Sequence, residues 1–330
     1  MKKNILIAWA ALAVATPVIA QAPQAQDQAP RQGQRQGQGG GLSRERSFPA
    51  IASGPWNGQR TADGQPDVAG FYSNTIGNHS NFTDPQGRQP GGNERAPLGP
   101  RSERAPSRVS DPADGQIPYL PAARALQEDF AKNFSNPVKA RYVEPLARCA
   151  PAGVPKSFMW HGFEIRQYPG SVLFWFDSGW RLIHLDNGKP LPEQIKLWNG
   201  DSHGHWEGNT LVVNVTNNNG KALFGRQGDF MSENATVVER FIFQPDGQRF
   251  NYVATFTDPT VYSRPWTATI PVRRFTAQDK PDGWHFDVHA VNAPGQPLRY
   301  EHDERICAEN NGGFGGGAVG VPGEGVLIAR

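Results

Sequence analysis

The chain has 330 residues and nearly balanced charge, with 33 Lys and Arg against 31 Asp and Glu. Removal of an N-terminal leader carrying Lys2 and Lys3 would lower the net charge from +2 to 31 − 31 = 0. A neutral protein has no long-range field that would attract nucleic acid or anionic lipid, so we expect neither as a partner.

The first residues have the composition of an export signal. Two lysines near the start are followed by an apolar run over residues 5–20 and by the sequence Ala-Gln-Ala. A short positive region, an apolar segment shorter than a membrane span and a small-residue cleavage site are typical of a secretory signal peptide. We therefore expect cleavage of residues 1–22, no membrane span in the mature protein, and a periplasmic or secreted location. An uncleaved anchor helix is the alternative, which Pro17 and the polar residues from Gln21 onward disfavour.

Low-complexity segments flank the rest of the sequence. Residues 23–44 contain no aromatic or β-branched residue, and residues 311–330 are rich in glycine. Such compositions predict a disordered tether and a flexible tail. The intervening residues 45–310 are long enough for one large β domain or two small ones, and we expect a single barrel domain there.

The sequence has two cysteines, Cys149 and Cys307. In an oxidising compartment they are expected to form one disulfide between the last strand and the segment before the sheet. Two separate buried thiols are the alternative.

The elements before residue 150 include one helix. Turn residues lead into a strand at Val68–Tyr72, and the Gly-, Pro- and Asn-rich segment 78–110 is interpreted as a long surface loop. Apolar residues at helical spacing within 118–145 predict a helix, with Pro121 suited to its first turn.

The rest of the domain alternates between short strands and turns. No helical pattern separates the strands, which favours an all-β fold, an antiparallel barrel or sandwich. The predicted strands are Met159–Gln167, Val172–Phe176, Arg181–Leu185, Leu211–Thr216, Thr236–Phe243, Phe250–Thr257, Thr267–Phe275, Trp284–Val291 and Leu298–Ile306.

The segment Trp198–Thr216 is the best candidate for a functional site. Glu207-Gly208-Asn209 predicts a hairpin turn whose arms contain His205-Trp206 and Leu211-Val212. On an extended backbone His203 and His205 lie on one face, where they could transfer protons, contact a ligand or bind a metal. A metal site would need a third ligand such as His184 or His289, and no HExxH or CxxC motif supports one, so none is predicted. A purely structural role in the loop is the alternative.

A second candidate lies on the predicted strand Trp284–Val291. His285, Asp287 and His289 alternate with apolar residues and therefore share one face. A carboxylate beside an imidazole fixes its tautomer and could orient a general base. The alternative is the solvated face of an amphipathic strand.

Aromatic residues are concentrated in the first half of the predicted barrel. Such residues could form an apolar cavity for an aromatic or terpenoid-like molecule, or they could fill the core. An arginine at the mouth of a barrel could bind a ligand carboxylate, although a turn-stabilising role is favoured for the loop that contains it. The residues predicted to bind the ligand are Trp198, Trp206, Trp160, Tyr72 and Arg264.

Motifs for cofactor chemistry are missing from the sequence. It has no nucleophile elbow, phosphate-binding glycine loop or dinucleotide fingerprint. We therefore expect no organic cofactor.

Six segments together resemble a large family of exported bacterial proteins. That family shares DGxPDLxGxW, RCLPPGVPR-like, GxWEGDTLVVDT, SExLxVxERF, DPxxYxxPWT and CEEN motifs. The corresponding segments here are Asp63–Tyr72, Arg148–Lys156, Gly204–Thr216, Ser232–Phe241, Asp258–Thr267 and Cys307–Asn310. The resemblance covers most of the mature domain and implies a lipocalin-like β-barrel. The sequence departs from the family pattern in having Asn209 and Asn214 in place of Asp, His205 in place of Arg, and Tyr72 in place of Trp.

The leading functional hypothesis is an exported, monomeric barrel that binds a hydrophobic or aromatic small molecule and acts on it by proton transfer, as a lyase, dehydratase or isomerase does. In this hypothesis His203 or His205 is the acid or base, and Asp201 or Asp287 orients an imidazole. A non-catalytic carrier or sensor is the first alternative. A structural protein of the cell envelope is the second.

Overall fold

A computed structural model of the protein describes residues 50–73, 81–85, 100–134, 137, 139–159, 162–176, 179–185, 188–225, 227–274, 288–290, 300–302, 320–321 and 325–326. The predicted signal peptide and tether, Trp160, His285, Asp287 and Cys307 lie outside these residues.

Nine strands form a closed barrel, and a tenth pairs with its last strand. The ten strands are β1 (Gly70–Ser73), β2 (Val109–Asp111), β3 (Phe163–Tyr168), β4 (Ser171–Phe176), β5 (Gly179–His184), β6 (Asp201–Glu207), β7 (Thr210–Thr216), β8 (Thr236–Phe243), β9 (Arg249–Thr257) and β10 (Trp266–Arg274). The order around the barrel is β1-β3-β4-β5-β6-β7-β8-β9-β10, and Tyr72 of β1 pairs with Arg274 of β10 to close it. Strand β2 pairs with the other end of β10. The fold is therefore the predicted all-β, lipocalin-like barrel, antiparallel at every junction except β5–β6.

Two further hairpins are present in the C-terminal part. They consist of β11 (Val288–Ala290) with β12 (Tyr300–His302), and β13 (Gly320–Val321) with β14 (Gly325–Val326). The strands predicted at 284–291 and 298–306 therefore pair with each other in the described residues, whereas β1 and β6 complete the barrel.

The described helical elements lie between β1 and β3 in the chain. The helix α1 (Pro121–Asn133) has Pro121 in its first turn, as predicted. Short 3-10 turns are formed by Arg101–Glu103, Ala140–Tyr142, Pro145–Arg148 and Lys156–Met159. Within the described part of the chain, no helix combines the length and apolarity needed to cross a membrane.

Alternation of buried and solvent-facing side chains explains the barrel wall. Strand β8 has the predicted bounds and buries Val237, Glu239, Phe241 and Phe243 at every second position. The strand predicted from residue 159 begins instead at Phe163, because residues 156–159 form a 3-10 turn.

That turn places Phe158 inside the barrel. Its ring stacks on Tyr252 at a centroid distance of 4.3 Å and meets Phe174, Phe176 and Phe241 edge-on at 5.3, 5.1 and 5.3 Å. All five side chains are buried. These phenylalanines of the aromatic-rich half therefore fill the core.

The segment predicted as a surface loop also contributes to the core. Phe82 is buried and packs edge-on against Trp266 at 5.8 Å and against Phe224 at 6.0 Å. A single aromatic residue among polar neighbours gives no periodic signal, so the sequence pattern did not reveal this contact.

Candidate functional site

Backbone pairing in the barrel wall is sparsest at the junction between β5 and β6, which we call the seam. These strands run parallel, and their described residues pair at His184 and His203. His184 is the last residue of β5 and His203 the third of β6, so the strands meet only near their ends. Residues 179–182 of β5 therefore face a gap rather than a backbone ladder.

A pocket of about 790 Å³ occupies this gap. Its walls are residues 179–182 of β5, parts of the connection 188–200, and Asp201–His203 of β6, with His184 at the junction.

The connection between β5 and β6 is held over the seam by two side chains. Asp201 Oδ2 accepts a hydrogen bond from Leu191 N at 2.7 Å. Asn217 Nδ2 donates to the carbonyl oxygens of Pro192 and Ile195, both at 2.9 Å. Both side chains belong to the ends of the β6–β7 hairpin, so the hairpin fixes the outer wall of the pocket.

Gly200 forms the turn into β6. Its φ is +66°, and a Cβ atom there would lie 2.6 Å from the carbonyl oxygen of Thr216. Only glycine fits this left-handed, crowded position, which sets the direction in which Asp201 enters the strand.

Asp201 and His203 form a paired carboxylate and imidazole on the pocket wall. Asp201 Oδ2 lies 3.1 Å from His203 Nε2. The Asp201 side chain is 6% exposed and the His203 side chain 23% exposed, so the carboxylate is shielded and the ring reaches the pocket. Within the described residues, Nε2 is the ring nitrogen of His203 that makes a hydrogen bond, and Nδ1 has no protein partner there. A carboxylate that holds one ring nitrogen leaves the other in the basic tautomer that proton abstraction requires.

The remaining walls are largely apolar. Trp180, Leu182, Leu191, Leu197 and Trp198 line the pocket. Trp180 is 64% exposed and Leu197 is 40% exposed. Large apolar groups at the mouth of a pocket favour binding of an apolar or aromatic molecule.

A buried polar network lies on the barrel side of the seam. Arg181 makes a two-point ion pair with Glu239, with Nη1 donating to Oε1 at 2.9 Å, and both side chains are buried. Glu239 Oε1 also accepts from Tyr252 Oη at 2.6 Å. Burial, and then the negative charge of Glu239, raises the pKa of Tyr252 well above its usual value.

Arg181 also connects this network to Ser202 of β6. Its Nε and Nη2 donate to Ser202 Oγ at 3.1 and 2.9 Å, and both residues line the pocket. The sequence pattern did not identify Arg181 or Ser202. Glu239 and its neighbour Arg240 face opposite ways, as neighbours on a strand must, and Arg240 pairs with Glu207 on the outer face.

The predicted hairpin around Gly208 is confirmed. Of the two histidines on its first strand, His203 lines the pocket and His205 does not. Trp206 pairs with Leu211, and His203 and His205 share the outer face of β6. His205 lies outside the pocket lining, with Nε2 3.1 Å from Glu207 Oε1. Hydrogen bonds from Arg240 and His205 lower the pKa of Glu207.

Three residues predicted to bind a ligand lie away from the pocket. Trp206 Nε1 donates to Gln65 Oε1 at 2.8 Å, and its ring packs on Phe243. Tyr72 is fully buried, and burial raises its pKa to about 12. Arg264 is exposed and pairs with Asp111 at 2.7 Å.

The second predicted histidine cluster falls mostly outside the described residues. His285 and Asp287 lie outside the described residues, and only the backbone of His289 is described, in β11. Among described side chains, no group of three or more His, Cys, Asp or Glu is arranged to hold a metal ion.

The comparisons with other proteins leave the site to be interpreted from its own geometry. No family model matches the chain, and it shows no significant similarity to a curated protein or to a solved structure.

Proposed function

We propose that this protein binds a hydrophobic or aromatic small molecule at the seam and acts on it by acid–base chemistry without an organic cofactor. The Asp201–His203 pair on the wall of an apolar pocket of about 790 Å³ carries this proposal. Lyases, dehydratases and isomerases all move a proton at carbon or oxygen, which one positioned imidazole can do.

His203 is the acid or base in this proposal, and Asp201 is the positioning residue. Asp201 is shielded from water and is also fixed by the Leu191 N–H, so it holds the imidazole in one orientation. Such an arrangement contributes about a hundredfold to ten-thousandfold in rate when the proton transfer limits turnover.

The ligand class follows from the walls. Trp180 and Trp198 offer flat apolar surfaces, and Leu191 and Leu197 complete the mouth. Aromatic rings and aliphatic side chains in a concave site favour planar or bulky hydrocarbon groups through apolar burial and ring stacking. The same walls would serve a carrier, which differs from an enzyme in releasing its ligand unchanged.

Export is part of the proposal. The signal-peptide pattern of residues 1–22 supports a periplasmic or secreted location, and the same compartment would allow Cys149 to pair with Cys307. Cys149 is exposed at the end of the 3-10 turn Pro145–Arg148. N-terminal sequencing and non-reducing mass spectrometry of the protein from the envelope fraction would test cleavage and pairing.

The test of the function begins with native mass spectrometry of the protein purified from its own periplasm. A retained organic ligand identifies the compound class for turnover assays. His203→Ala should then lower kcat at least a hundredfold, because it removes the ring that transfers the proton. His205→Ala is the matched control, since it changes a histidine on the same strand and face outside the pocket and should leave kcat unchanged. Unchanged ligand after incubation with the wild-type protein would favour a carrier, and equal activity of both variants would exclude His203 as the acid or base.

A further inference from the structure

We infer that His184 is the second proton-transfer group of the pocket, so that the protein removes a proton and a neighbouring hydroxyl group, as water, from one side of its ligand. This inference rests on the proposed function, because it names the partner of His203 and narrows the reaction to a dehydration.

The side chain of His184 lies on the same face of the barrel wall as the pocket. In β5, Arg181 and Ile183 are buried, whereas Trp180, Leu182 and His184 alternate with them and are at least partly exposed. Strand alternation therefore places the His184 ring on the outer face. All three of the outer-face residues line the pocket.

The imidazole rings of His184 and His203 lie side by side. Their centroids are 5.3 Å apart and their planes meet at 28°. His203 shares the outer face of β6 with the exposed His205, so both rings of the pair project from adjacent strands to one side. Two groups held this close on one side of a ligand can act on neighbouring atoms of the same molecular face.

Hydrogen bonding distinguishes the two rings. Asp201 Oδ2 lies 3.1 Å from His203 Nε2, so it compensates the positive charge that forms when His203 accepts a proton. Within the part of the chain that the structure describes, the His184 ring has no hydrogen-bond or ion-pair partner, and the residue is partly exposed. His184 can therefore exchange its proton with water and deliver it to a ligand, while His203 acts as the base.

The proposed step conserves protons and charge. His203 takes a proton from carbon, and the C–H electron pair forms a double bond to the neighbouring carbon. The C–O bond breaks towards oxygen, and His184, protonated by solvent beforehand, gives its proton to that oxygen, which leaves as water. The pair carries one positive charge before and after the step, so the two adjacent rings are never charged together, which repulsion would oppose. Proton exchange with water then restores both rings.

Two probes separate the roles of the histidines. The first is the β-hydroxy ketone formed from benzaldehyde and acetone, whose hydroxyl group leaves readily only when it is protonated. The second is its acetate ester, which releases acetate as a stable anion without an acid. Both carry a phenyl group for the apolar walls, and both give benzalacetone, whose ultraviolet absorbance measures the rate.

Replacement of each histidine in the full chain should affect the probes differently. His203→Ala should lower both rates by at least about a hundredfold, because both reactions need the base. His184→Gln keeps a polar side chain but has no acidic proton, so it should lower loss of water by about a hundredfold and loss of acetate by less than about threefold. His205→Gln is the matched control outside the pocket and should change neither rate.

The two rates distinguish failure of this inference from failure of the proposed function. Equal losses for both probes in His184→Gln, or an unchanged rate of dehydration, would overturn the role of His184 while leaving His203 as the base. Equal rates in wild-type protein and His203→Ala, or wild-type rates no higher than those in buffer, would count against both proposals.

Deuterium tests the geometry of the step. The β-hydroxy ketone is prepared with one deuterium on the carbon between the carbonyl and the hydroxyl-bearing carbon, as two separate diastereomers. Removal of both groups from one side, giving the trans alkene, loses deuterium from one diastereomer and retains it in the other. Mass spectrometry of benzalacetone reads this pattern. The reverse pattern, or equal retention from both diastereomers, would overturn the inference, because the two rings lie on one side of the ligand.

Discussion

His184 at the end of β5 and His203 near the start of β6 are backbone partners, and their rings stack with centroids 5.3 Å apart. This pair marks the point where an otherwise antiparallel barrel changes to a parallel junction. A parallel junction needs a long connection, and the described residues 188–200 of the connection between β5 and β6 include Leu191 and Leu197, which line the gap. The candidate site therefore lies at the described barrel junction where neighbouring strands run parallel.

Replacement of Asp201 by asparagine should separate ring positioning from ring chemistry. Asp201→Asn keeps an oxygen for the Leu191 N–H but removes the negative charge beside His203 Nε2. We expect kcat on the identified substrate to fall about tenfold or more, because the imidazole loses its oriented tautomer. Glu207→Gln is the matched control, since it alters the carboxylate next to His205 on the same face. Equal effects of the two substitutions would contradict a special role for Asp201.

Removal of one partner of the buried Arg181–Glu239 ion pair should strongly destabilise the folded protein. Arg181→Met leaves Glu239 uncompensated in the core and should lower the free energy of unfolding by about 3–5 kcal/mol. Joint replacement with Glu239→Leu removes both charges and should recover part of that loss. Urea denaturation of the two single variants and the double variant measures the coupling. A double variant whose loss equals the sum of the single losses would show that the two side chains do not stabilise each other.

Asp229 should make stability depend on pH in a direction opposite to that of most carboxylates. Burial raises the pKa of Asp229 from 3.8 to about 6, against the opposing effects of the hydrogen bond from Tyr119 and the charge of Arg124. The folded protein therefore retains this proton up to a higher pH than the unfolded chain does. Between pH 3.8 and about pH 6 the unfolded chain alone is ionised, so the contribution to stability falls as pH rises and is constant above that range.

Asp229→Asn isolates this effect, because asparagine keeps an acceptor for the Tyr119 hydroxyl, which lies 3.0 Å from Asp229 Oδ1. The free energy of unfolding of the variant relative to wild type should rise by roughly 3 kcal/mol across the same range. Urea denaturation at a series of pH values measures the difference. A difference that does not change with pH would mean that Asp229 keeps its ordinary pKa in the folded protein.

Two glycines of the β6–β7 hairpin should respond differently to alanine. Gly200 and Gly208 have φ values of +66° and +59°, so alanine is strained at both. A Cβ at Gly200 would meet the Thr216 carbonyl oxygen at 2.6 Å, whereas none of the surrounding atoms lies within 4 Å at Gly208. We expect Gly208→Ala to cost about 1 kcal/mol and Gly200→Ala to cost roughly 3 kcal/mol or more, with weaker ligand binding in the second case. Similar denaturation midpoints for the two variants would contradict the steric argument.

The hairpin itself could be predicted because its signals are local. Gly208 and the β-branched run of β7 set the turn and the strand, and alternation along the chain placed His203 and His205 on one face. The same local rule explains why Glu239 and Arg240 lie on opposite faces. It could not tell that Trp206, Tyr72 and Arg264 would lie away from the pocket, because their surroundings come from segments distant in sequence, such as Gln65, Arg274 and Asp111.

By itself, the sequence determined the all-β class, most of the barrel strands, the helix at Pro121 and the fact that His203 and His205 share one face. Each of these depends on side-chain periodicity or turn chemistry over a few residues. Only the tertiary structure decided that β5 and β6 meet in parallel, that Phe158 fills the barrel, and that Arg181 reaches both Glu239 and Ser202. Arg181 and Glu239 are 58 positions apart in the chain. Their contact depends on barrel closure, a property of all nine strands together that no local pattern encodes.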